Sequence, residues 1–84
     1  MKIKIFWKKN CPHCPEVKKL GKQLEKETEV QYFDVDTFDG LAEASYYDIA
    51  STPSMVVLSN NDKEIKIWRG KTPRLEEIRE DAAI

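Results

Sequence analysis

The stretch Ile3-Lys4-Ile5-Phe6-Trp7-Lys8-Lys9-Asn10-Cys11-Pro12-His13-Cys14 holds both cysteines of the chain, and its reading decides the fold. Ile3, Ile5 and Trp7 alternate with Lys4, and Phe6 is also apolar, so residues 2–7 read as a largely buried strand. The cysteines lie two residues apart where this strand gives way to a helical pattern. Two thiols so spaced can close a small ring and reopen it, which is the chemistry of thiol–disulfide exchange.

Working outward, residues 12–27 carry the periodicity of a helix. Val17, Leu20 and Leu24 fall at i, i+3 and i+7, with Lys18, Lys19, Lys22 and Lys26 on the remaining surface. Gly21 inside that pattern costs about 1 kcal/mol relative to alanine, which points to close packing on a sheet. Pro15 is tolerable because it lies in the first turn, where backbone donors lack helical partners.

Val30 to Val35 form a second strand, rich in β-branched and aromatic residues. Thr37 is placed to cap a short helix over 38–47, with Phe38, Leu41, Ala42 and Ser45-Tyr46 as its mixed face. Ser54-Met55-Val56-Val57-Leu58 reads as a buried strand directly after Pro53. Asn60-Asn61-Asp62 make a turn, and Glu64-Ile65-Lys66-Ile67-Trp68 alternate as the hairpin partner. Gly70 breaks the chain; Thr72 and Pro73 match the N-cap and N1 of a final helix whose buried stripe is Leu75, Ile78 and Ala82. The order is β-α-β-α-β-β-α.

The 84 residues are expected to form one domain, which buries only about 60–65% of its unfolded surface and needs a continuous core. Charged residues make up 35%, yet the net charge is −1, which leaves no basic footprint for nucleic acid and no polybasic membrane anchor. Apolar runs stay well below the ~20 residues of a membrane span. Lys2, Lys4, Lys8 and Lys9 interrupt the N-terminus, so no secretory signal is read there and a cytoplasmic location is expected. Structural disulfides are rare in that compartment, and two cysteines make a poor framework for a small secreted fold.

Exchange needs a thiolate near neutral pH. At the start of the helix Cys11 would meet unpaired N–H groups and the positive dipole end, with His13 adding to this when protonated. Cys14, one turn inside, is positioned to attack a mixed disulfide at Cys11. Cys11 is therefore the expected nucleophile and Cys14 the resolving thiol. Three other readings compete. A zinc site needs four ligands, and the remaining acids do not cluster at ligand spacing, so no metal is expected. A static disulfide of so short a ring removes little unfolded-state entropy. Inert buried thiols fit poorly with the flanking Lys8, Lys9, Asn10 and Pro12, which read as an exposed turn.

A second signal is Tyr47-Asp48-Ile49-Ala50-Ser51-Thr52-Pro53-Ser54, where a proline immediately precedes an apolar strand. With the cysteine pair, this segment resembles the thioredoxin superfamily, whose members place a C-x-x-C at the start of the first long helix and a cis-proline loop facing it. Pro53 falls on the cis-proline, and Ser54 replaces the threonine that follows it in the family pattern. The resemblance extends over nearly the full chain in element order. It implies an α/β thioredoxin-like fold: a four-stranded mixed sheet with the first two strands parallel, the last two a hairpin, and helices on both faces. The backbone of Thr52 would pair with an extended substrate peptide, and Pro53 would pack against the sulfurs.

Within the family the chain is most similar to short archaeal and bacterial glutaredoxin-like thioredoxins. Lys8, three before Cys11, matches the basic residue that glutaredoxins use for the carboxylate of glutathione. Against this, the tyrosine of the glutaredoxin C-P-Y-C is His13, the valine of its threonine-valine-proline run is Thr52, and its late glycine pair is only Arg69-Gly70-Lys71-Thr72. Relative to thioredoxins, the buried aspartate six before the first cysteine is Ile5, so the usual proton acceptor for the resolving thiol is missing. The resemblance implies a dithiol–disulfide oxidoreductase acting on protein or small disulfides, with Pro12 and His13 supporting the pair. It also implies an NAD(P)H-dependent flavoprotein reductase as electron donor, no cofactor beyond the Cys11–Cys14 pair, and a monomer. The alternatives are a glutathione-dependent glutaredoxin and a non-enzymatic peptide- or metal-binding module.

Overall fold

The structure, a computed structural model, describes residues 1–82, the side chain of Ala82 excepted. The alternation of the first strand becomes the division between two cores. β1 (Lys2–Trp7) pairs in parallel with β2 (Glu29–Asp34) on one edge and antiparallel with β3 (Ser54–Leu58) on the other. β4 (Glu64–Trp68) pairs with β3 and completes the order β2-β1-β3-β4. On one face Ile3, Ile5, Met55 and Val57 join Val17, Leu20 and Leu24 of α1 (Cys14–Leu24) and Ile78 of α3 (Leu75–Ala82). On the other face Phe6, Val56 and Leu58 join Ala44 of α2 (Phe38–Tyr46). β3, paired along both edges and covered on both faces, is buried at every position. The expected element order and mixed sheet are therefore found.

Gly21 is the packing position that its cost implied. A Cβ there would stand 2.6 Å from the Tyr32 hydroxyl and 2.7 Å from Cδ1 of Ile5. Val17 and Leu24 beside it are fully buried. At about 1.5–3 kcal/mol for each such side chain, their burial outweighs the lost propensity. The Tyr32 hydroxyl donates to the Glu25 carboxylate. Partial burial and that carboxylate push the phenol up to about 12. On the opposite face Lys4 donates to Glu43 at 2.8 Å and to the Tyr47 hydroxyl at 3.2 Å. Burial alone would lower its pKa, but these partners outweigh burial and hold the ammonium above its ordinary value.

The structure corrects four readings. α1 covers Cys14–Leu24 rather than 12–27: Pro12-His13 form a turn before it, and residues 25–27 form a turn after it. α2 is rotated relative to its expected face: Gly40 and Ala44 are buried, whereas Phe38, Leu41 and Tyr46 are 86%, 57% and 77% exposed. Gly40 sets this rotation, because any side chain there would run into the Asp34 carbonyl. A register shift between Val57 and Leu58 leaves Ile65 exposed and breaks the simple alternation of β4, although Trp68 is buried. Finally, α3 starts at Leu75, not at Pro73. Glu77 accepts the Arg74 backbone N–H at 3.3 Å, the reaching-back half of a capping box, so Arg74 takes the cap position expected for Thr72. The burial expected of Ala82 lies outside the described residues. Thr37 caps α2 as expected, its hydroxyl accepting the Gly40 N–H at 3.1 Å.

Candidate active site

The site begins where β1 ends. Trp7 is still held in the sheet by its carbonyl, which accepts the Val35 N–H at 2.9 Å. Lys8 and Lys9 then leave it, and Asn10 turns the chain with φ +63°. Asparagine tolerates that left-handed conformation better than most residues. Cys11 follows, its carbonyl accepting the Cys14 N–H at 3.3 Å to close the Pro12-His13 turn. The two cysteines form a disulfide with Cα atoms 5.3 Å apart.

Cys14, the first residue of α1, is 3% exposed, and Cys11 is 8% exposed. Both residues are buried, Cys11 ahead of the helix slightly less so. Both lie by the positive end of the helix dipole, which favours an anion on either sulfur. Pro15 occupies the first turn of α1, where its missing N–H costs nothing. His13 takes the cap position with an exposed side chain and makes no capping hydrogen bond. Pro12 is exposed beside it.

Lys8, Cys11 and Cys14 share one cleft of about 210 Å³, which Trp7, Lys9 and Lys18 also line. Lys18, one helical turn after Cys14, holds its ammonium 3.3 Å from the centroid of the Trp7 ring. Ile5, which stands at the position of the family's aspartate, is fully buried among apolar side chains. Among the described residues, no three His, Cys, Asp or Glu side chains converge as a metal set.

The Thr52–Pro53 loop lies at the same end of the sheet. Ser54 pairs with Phe6, so the residues preceding β3 arrive beside the end of β1, though they do not line the cysteine cleft. The Thr52–Pro53 peptide is cis, Pro53 is buried, and the Thr52 hydroxyl is buried without a hydrogen-bond partner among the described residues. Two features escaped the sequence reading. Lys18 reads from the sequence as solvated surface, although it stands four residues from Cys14 on the same helix. The contacts of Ser54 with residues of the β4–α3 connection had no local signal.

A four-stranded β2-β1-β3-β4 sheet, a C-x-x-C entering the first helix and a cis-proline loop at the same sheet end define a thioredoxin-like fold with a cysteine-pair centre. The sequence model of the family described as "Thioredoxin domain" matches residues 1–81, and the chain belongs to that family. A probable thioredoxin of Archaeoglobus fulgidus is 35% identical over 63 residues, covering 73% of this chain and 66% of that protein. The chain thus spans just under two thirds of this curated relative. Among solved structures, a thioredoxin from Thermus thermophilus superimposes with TM-score 0.70 at 24% identity, over 98% of this chain and 71% of that one. Thioredoxin 1 of Thermosipho africanus gives 0.69 at 17% identity, over 99% and 91%. These two likenesses concern the fold. No helix among the described residues is long and apolar enough to cross a membrane.

Proposed function

We propose that the protein is a thiol–disulfide oxidoreductase that reduces disulfides of protein or small-molecule substrates. The observation that carries this reading is the Cys11–Cys14 pair, joined at the entrance of α1, with Cys11 the less buried residue of the two. In the reduced form, the Cys11 thiolate attacks one sulfur of the substrate disulfide. A mixed disulfide forms, and the other substrate sulfur leaves as a thiolate that takes a proton from water. Cys14 then loses its proton and attacks Cys11 Sγ. This releases the second substrate thiol and closes the Cys11–Cys14 bond, so two electrons have passed to the substrate.

The sequence has Ile5 where the family pattern has its buried aspartate, so water or the exposed His13 takes the Cys14 proton. Lys18, which lines the same cleft, supplies a positive charge that favours the resulting anion. Thr52 offers its backbone to an extended substrate, a short strand addition next to Pro53. Lys8 at the rim supplies a cation for acidic substrates, glutathione included. An NAD(P)H-dependent flavoprotein reductase is proposed as the returning electron source, and the cytoplasm as the place of action.

The test is reduction of insulin with dithiothreitol as the electron source. Cys11→Ser is expected to show no rate above the dithiothreitol background. Full activity in that variant would contradict the proposal.

A further inference from the structure

The segment Tyr47–Ser54, which ends in the cis-proline loop, is tied down at both ends by two adjacent residues that follow β4. At its entry, Arg69 Nη2 donates to the Tyr47 carbonyl at 2.9 Å and Nε to the Asp48 carbonyl at 3.3 Å. Tyr47 is the C-cap of α2 and Asp48 the residue after it, at the helix end where carbonyls lack internal partners and a cation is favoured. At its exit, the Gly70 N–H donates to Ser54 Oγ at 3.0 Å, and that hydroxyl donates to the Ser51 carbonyl at 2.7 Å. Ser54 is fully buried, so this hydroxyl has no water to replace either bond. Gly70 itself is restricted: its φ is +73°, and a Cβ would stand 2.8 Å from Ser51 Oγ. Thr52 and Pro53 lie between Ser51 and Ser54.

We infer that Arg69, Gly70 and Ser54 are positioning residues for the peptide-binding loop, a clamp that presents the Thr52 backbone in a fixed register to an extended substrate. This rests on the proposed reduction of peptide disulfides, since only a substrate that pairs with Thr52 gains from a fixed register. A small aromatic disulfide reaches Cys11 without pairing. A role confined to capping α2 would affect both substrates alike; a clamp affects the peptide selectively, and through KM.

The experiment compares kcat and KM for a peptide disulfide and for 5,5′-dithiobis(2-nitrobenzoate) in wild type, Arg69→Met and Ser54→Ala, with Ser54→Thr as the hydroxyl-retaining control. Removing one charge-assisted or buried hydrogen bond is expected to lower the peptide-to-aromatic ratio of kcat/KM about tenfold, mainly through KM. Ser54→Thr restores most of the ratio. Hydrogen exchange supplies a readout independent of turnover: the amides of residues 49–52 exchange about tenfold faster in Arg69→Met and Ser54→Ala. Wild-type turnover of the peptide disulfide in the same assay reports separately on the reductase reading. A substrate ratio at the wild-type value in the two folded variants would overturn the clamp, with faster exchange then marking a role confined to capping α2.

Discussion

The Lys18 ammonium rests on the face of Trp7, 3.3 Å from the ring centroid, in the cleft that also holds Cys11 and Cys14. The ring draws the cation towards the end of β1, and the helix places it one turn from Cys14. This pair combines a strand residue and a helix residue into the electrostatic setting of the disulfide.

A cation beside the pair stabilises thiolate, and hence the reduced form. Lys18→Met should therefore lower the potential of the Cys11–Cys14 couple. A shift of half to one pKa unit corresponds to about 0.7–1.4 kcal/mol, or about 15–30 mV for a two-electron couple. Equilibration against glutathione buffers at pH 8 measures it. A potential unchanged from wild type would show that Lys18 has no electrostatic part in the site.

Gly21→Ala gains about 1 kcal/mol of helix propensity but must fit a methyl group against Tyr32 and the fully buried Ile5. Overpacking of that kind costs about 1–3 kcal/mol, so the variant should be less stable by about 1 kcal/mol. Urea unfolding followed by circular dichroism checks this; a raised midpoint at constant slope would contradict it.

The exposed apolar residues of α2 make the opposite case. Phe38→Ser should change stability by less than about 0.5 kcal/mol, because the ring is 86% exposed. Ala44→Leu on the buried face should cost about 1–3 kcal/mol. Equal effects in a thermal melt would return the helix to the orientation expected from its sequence.

Alkaline pH should destabilise the fold through Tyr32. Its phenol is raised from 10.0 to about 12, so the stability it contributes is fully present below pH 10 and is lost as pH rises through about 12. Lys4, also raised, has the same sign: its contribution holds below pH 10.5 and fades above. Absorbance at 295 nm should show one tyrosine ionising near 12. Tyr32→Phe should abolish that step and flatten the loss of stability between pH 10 and 12.

The elements that were legible in the sequence are those whose side-chain period is enforced by burial. β1 and β3 read correctly because they are central strands with helices packed on both faces of the sheet, and Gly21 announced its packing by violating helix propensity. The α2 face misled because Phe38, Leu41 and Tyr46 offer an apolar stripe at helical spacing. The actual contact is set by Gly40, where only a missing side chain lets the helix approach Asp34. For the candidate site, the cysteines and Pro53 stood out by type and spacing. The Arg69 and Gly70 contacts depend on tertiary closure between segments about twenty residues apart, and no local pattern encodes them.

The central claim is that Cys11 attacks and Cys14 resolves. Mass spectrometry of Cys14→Ser and Cys11→Ser, each reduced, freed of reductant and mixed with a peptide disulfide, tests it most directly. Cys14→Ser should accumulate one peptide adduct, mapped to Cys11, while Cys11→Ser stays largely unmodified because Cys14 is 3% exposed. An adduct that forms faster on Cys14 in Cys11→Ser than on Cys11 in Cys14→Ser would contradict the assignment.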